Sequence, residues 1–125
     1  RYFSFARILL FSFGAAVIRF LLIGWAVDVV ALLLLAQVMH ALTFGSYHAA
    51  SIGLVHEFFK GRHQSKGQAL FGSITYGAGG VLGGLASGPI WLYWGPAALY
   101  SFSAGMVLLG LLLLTIWKLD SPAEP

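Results

Sequence analysis

Arg19, His40 and His48 are the side chains in this sequence best suited to chemistry, and all three stand in apolar surroundings. Arg19 is the only charged residue in ILLFSFGAAVIRFLLIGWA, residues 8–26. A guanidinium there stays charged and can hold an anionic or hydroxylated group. The histidines belong to QVMHALTFGSYH, residues 37–48, which also carries Gln37, Thr43 and Tyr47. Imidazoles ordinarily titrate near neutrality, so they can bind a solute or relay a proton. At 100° per residue, Gln37, His40, Phe44, His48 and Ser51 fall within about an 80° wedge of one helix, with Thr43 and Tyr47 bordering it. Such a polar stripe in an apolar helix reads as the wall of a water-accessible cavity.

The elements that must position these residues are helices in a bilayer. The 125 residues are 59% hydrophobic and 9% charged, with a mean hydropathy of +0.87, outside the usual range of soluble domains. Four apolar segments, 8–26, 29–59, 69–94 and 97–117, each exceed the ~18 residues that a helix needs to cross about 30 Å of hydrocarbon. Period-2 alternation is missing, which argues against a β-barrel. The expectation is an all-α membrane protein with four transmembrane helices. Arg1 and Arg7 precede the first segment, Lys60, Arg62 and Lys66 separate the second from the third, and Lys118 follows the fourth. The positive-inside rule then places both termini and the GRHQSKGQ loop in the cytoplasm. The net charge of +3 is thus a topology signal, and no nucleic-acid partner is expected. Residues 118–125, which end in SPAEP, read as a disordered cytoplasmic tail. Tyr2, Trp25, Trp91, Tyr93, Trp94 and Trp117 fall where interfacial aromatics are expected.

Depth counting connects the two reactive stretches. Arg19 lies eleven residues past Ile8, roughly 16 Å into the membrane, and His40 lies nine residues past Ala31, roughly 14 Å in from the opposite side. They come out level on adjacent antiparallel helices. Asp28, Glu57, Asp120 and Glu124 all lie near or beyond the interfaces, so Arg19 needs a counter-ion from a solute or from other parts of the protein. His40 and His48 are roughly 12 Å apart along the helix, too far to share one metal ion. The other three segments hold no histidine, which excludes bis-histidine haem ligation. No nucleophile–base arrangement, phosphate loop or carboxylate pair is present, so neither an enzyme nor a cofactor is expected. Ser73, Thr75, Ser87, Ser101 and Ser103 read as bonded back to helix carbonyls. His56 and His63 read as solvated.

The third segment contains GSITYGAGGVLGGLASGP, in which Gly79, Gly80, Gly83, Gly84 and Gly88 share neighbouring helix faces. The spacing predicts close packing against another helix, and Pro89 is expected to kink or end the segment. Cysteine is absent, so no disulfide can form. Arg1 stands first with no cleavage motif after the first apolar run, and the chain is expected to be a fragment of a longer protein.

The stretches AQVMHALTFGSYHAASIGLVHEFF and QALFGSITYGAGGVLGG, with the basic loop between them, resemble the last third of a major facilitator superfamily transporter. The resemblance covers nearly the whole chain and points to helices nine to twelve of twelve. It is closest to the branch of phenylpropionate permeases and, more distantly, lactose permease and nucleoside–proton symporters. It implies that Arg19 and His40 occupy the places of an arginine and a histidine in a proton-coupling and sugar cavity. Where a glutamate follows that histidine in lactose permease, this sequence has Thr43. The proton would then be carried by His40 or by a carboxylate elsewhere in the parent protein.

The expectation is a fragment of a proton-coupled symporter of a small organic solute, an aromatic acid or sugar-like compound, in the bacterial inner membrane. Its substrate or proton-coupling residues are Arg19, His40, Gln37, Phe44, Tyr47 and His48, and its partners are the solute, protons, the lipid bilayer and the remaining helices of the parent. The alternative is a complete four-helix membrane protein acting as an oligomeric exporter or scaffold.

Overall fold

The computed structural model describes residues 4–120, with side chains as far as 117. Arg1, Tyr2 and tail residues 121–125 lie outside it. Helix α1 spans Phe5–Trp25 and begins at Ser4, whose hydroxyl accepts the Arg7 N–H at 3.4 Å and so satisfies one of the open amides of the first turn. A short turn containing Asp28 leads to α2, Val30–Phe58. Gly61 adopts φ 60°, a left-handed conformation that suits glycine, and the chain turns there into a 3-10 helix at Gly61–His63. From Gln64 the chain stays helical to Asp120, as α3 (Gln64–Gly72), a π-helical segment (Ser73–Ala78) and α4 (Gly79–Asp120). In the π-helical segment the Gly79 N–H donates to the Ile74 carbonyl, five residues back.

Helix α4 has two arms. Pro89 removes the amide that would bond Leu85, yet the helix runs on past it. The break comes at Gly95 (φ 82°, ψ −178°), a conformation closed to residues with a Cβ, and Pro96 opens the second arm with its φ already fixed. That arm reaches three residues beyond the predicted end of the fourth segment. No strand occurs among the described residues.

Among the described residues, three stretches are long and apolar enough to cross a membrane: 5–25, 30–58 and 61–117. Little of their surface is covered within the chain. The buried apolar residues among those described are Leu9, Ala36, Ala50, Val55 and Ala104, whereas Leu85 and Leu92 are 69% and 75% exposed. Apolar surface on this scale belongs in hydrocarbon or against other protein.

Helix α1 lies between α2 and the second arm of α4 and runs antiparallel to both. The contacts are aromatic side chains set against small residues. The Phe5 ring covers Gly53, where an added Cβ would lie 2.5 Å from it, and Tyr100 covers Gly24, at 2.8 Å. Phe13 meets Tyr47 at 5.8 Å between ring centroids, and Phe20 meets Tyr100 at 6.3 Å. At the end of α1 the Trp25 indole N–H donates to the Ser101 hydroxyl at 2.9 Å. At the far end of α2, Phe59 covers the buried Gly67 of α3.

Candidate functional site

A cleft of about 210 Å³ opens between these helices. Ser12, Phe13, Ala16 and Arg19 line it from α1, because residues three, four and seven apart share a helical face. His40, Thr43, Phe44 and Tyr47 face them from α2, and Val107 closes one side from α4.

Arg19 is half-buried. Its guanidinium carbon lies 4.3 Å from the Phe20 ring centroid, a cation–π contact. Its Nε is buried without a hydrogen-bond partner, and no acidic side chain pairs with it among the described residues. His40 enters the cleft from α2, with its ring 5.7 Å from that of Phe44. Thr43 is 5% exposed and donates its hydroxyl proton to the His40 carbonyl at 3.3 Å, so that proton is committed to the backbone of its own helix.

The stripe of α2 divides below Phe44. Phe44 stacks on His48 at 6.0 Å and 11°, continuing the aromatic column by one turn. His48 then turns to the π-helical segment, where its Nδ1 and the Tyr76 hydroxyl are hydrogen-bonded at 3.0 Å. Tyr76 in turn meets Phe71 edge-on. Tyr47 stays with the cleft, its hydroxyl near Ser51 and Thr75. Of the residues singled out in the sequence, Arg19, His40, Phe44 and Tyr47 therefore share one cleft. His48 adjoins it through Phe44, and Gln37 is exposed and outside the lining.

The glycines behave differently from their spacing. At Gly80, Gly83, Gly84 and Gly88 an added Cβ would meet nothing within 4 Å, and at Gly79 it would meet only the Ile74 carbonyl of the same run. The close approaches are at Gly24, Gly53 and Gly67. Ser87 and Ser103 do donate to helix carbonyls, those of Gly83 and Leu99, whereas Ser101 accepts from Trp25. His56 is paired with Gln68.

Two features of the site escaped the sequence reading. Ser12 lines the cleft although it is one hydroxyl in an apolar row; its spacing of seven from Arg19 was the available signal. Tyr76 reaches His48 from a segment whose π-helical geometry shifts the α-helical register.

Long apolar helices and a cleft lined by a charged group, an imidazole and aromatic rings define an integral membrane protein of the helical class. The chain matches the MFS_1 like family across residues 1–102 and belongs to it; the family is one of transporters in the major facilitator superfamily. No curated protein and no solved structure matches the chain.

Proposed function

We propose that the chain supplies helices nine to twelve of a twelve-helix secondary transporter, a proton-coupled symporter that moves a small organic solute by alternating access. The observation that supports this reading is that Arg19 and His40 share one cleft while Arg19 has no acidic partner among the described residues. A charge held at mid-depth needs a partner, and an anionic or hydroxylated solute is one. In this reading Arg19 draws that group, His40 binds the solute or relays a proton, and Phe44 and Tyr47 shape the pocket. Gln37 and His48 flank it. The Thr43 proton is engaged by the backbone, so Thr43 is not the proton site.

The stretch 61–117 is 57 residues long, about 85 Å as a helix, well beyond one bilayer crossing. We assign it two crossings separated at Gly95, which gives spans 8–26, 29–59, 69–94 and 97–117 with both termini and the loop at 60–66 in the cytoplasm. The remaining helices of the parent protein would cover faces left open here. The branch near the phenylpropionate permeases and a bacterial inner membrane fit the same reading.

The test is solute uptake by the full-length protein in vesicles, with and without an imposed proton gradient. Arg19→Ala and His40→Ala are each expected to reduce gradient-driven uptake about ten- to a hundredfold, the scale of a lost charge-assisted hydrogen bond, while membrane insertion is unchanged. Wild-type uptake by both variants would remove the cleft from the mechanism.

A further inference from the structure

The cleft contains two buried side-chain polar atoms without a hydrogen-bond partner, Arg19 Nε and Ser12 Oγ, and among the described residues no others are in that condition. Ser12 is 1% exposed. A helical serine at this depth ordinarily donates to a carbonyl one turn earlier, as Ser87 and Ser103 do. Ser12 makes no such bond, so its hydroxyl is uncommitted at the cleft wall. An unpaired buried hydroxyl is unfavourable, and a bound group that bonds to it relieves that cost.

Ser12 and Arg19 are two turns apart on one face of α1, about 10 Å along the axis. The cleft surface between these two anchors is apolar, formed by Ala16, Phe44 and Val107. One end is therefore cationic, the other carries a neutral hydroxyl, and the middle is apolar. The cleft holds about 210 Å³, so the part of the solute lodged between these helices is small.

We propose that Ser12 is a specificity-determining residue that binds the far end of the solute, and that the solute class is a short, elongated monoanion with a neutral hydrogen-bonding group opposite its charge. Its anionic group sits on Arg19, its apolar body lies along Ala16, Phe44 and Val107, and its terminal hydroxyl or carbonyl bonds to Ser12. This inference rests on the transporter reading of the cleft.

Calorimetric titration of the purified full-length protein with hexanoate and 6-hydroxyhexanoate tests it. The wild type is expected to bind the hydroxy acid about five- to tenfold more tightly, the range of one added hydrogen bond. Ser12→Ala should abolish that preference and leave the affinity for hexanoate unchanged. Ser12→Cys, which keeps the shape at a slightly larger size but offers only a weak donor, should also abolish the preference. A wild type that binds the two acids equally, or neither of them, overturns the proposed solute class; so does a Ser12→Ala variant that weakens both acids alike. Arg19→Ala reads the underlying assignment separately: it should weaken both acids, and unchanged binding of both would overturn the anion site whatever Ser12→Ala does.

Discussion

The α1 interface and the first arm of α4 (79–94) are both lined with small residues, yet only the former is a packed contact. Along α1, Gly24 lies under Tyr100, and Phe5 lies over Gly53. In the first arm of α4, Gly80, Gly83, Gly84 and Gly88 face open space. What separates the two is the partner rather than the glycine. A missing Cβ permits close approach, but an aromatic ring at the matching height turns that permission into packing. Glycine density marks where a helix can be approached, and the complementary large side chain marks where it is.

The largest effect that can break this comparison is steric. Gly24→Leu places a side chain where the first added carbon already lies 2.8 Å from Tyr100, and should destabilise the protein by about 1–3 kcal/mol in detergent unfolding. Gly84→Leu meets no such clash within this chain and should cost less; an equal loss at both positions would show that the arm is packed as tightly and would erase the distinction. An intermediate effect is expected at the junction of the two arms. Gly95→Ala forces a Cβ onto φ 82° and should cost about 1–2 kcal/mol although nothing lies within 4 Å of it, which separates backbone strain from packing. The smallest effect belongs to the polar contact of the packed interface. Trp25→Phe keeps most of the apolar surface and loses the hydrogen bond to Ser101, for about 0.5–1.5 kcal/mol. Ser101→Ala combined with it should add little, as a double-mutant cycle would report.

The parts of the molecule that follow one regular period were legible in the sequence. A rise of 1.5 Å per residue and antiparallel neighbours placed Arg19 and His40 at one level, and one cleft takes both. The 100° step placed Phe44 beside His40 and His48 beside Phe44, and their rings do form a column. Legibility ended where the period changes or a partner must be named. The π-helical segment adds a residue to a turn, so no α-helical projection brings Tyr76 to His48. Pro89 carries the stronger breaking signal, but the run breaks at Gly95, because one lost amide bond is tolerated inside a helix and a positive φ is not part of one. Ser12 was hidden because a lone serine among apolar residues is usually bonded to its own helix.

The Trp25–Ser101 bond spans 76 positions of sequence, and Val107 completes the wall of a cleft that begins at Ser12. Because a chain is made from its N-terminus, α1 enters the bilayer before the arm that packs against it exists. Its neighbour α2 follows at once, but the surface that receives Tyr100 stays bare until nearly all of the described chain has been synthesised. Throughout that interval Arg19 carries an insertion penalty of at least ~2.5 kcal/mol with only part of its shelter built. Of the helices described here, the first to be made is thus among the last to be seated, and their order of synthesis runs against their order of assembly.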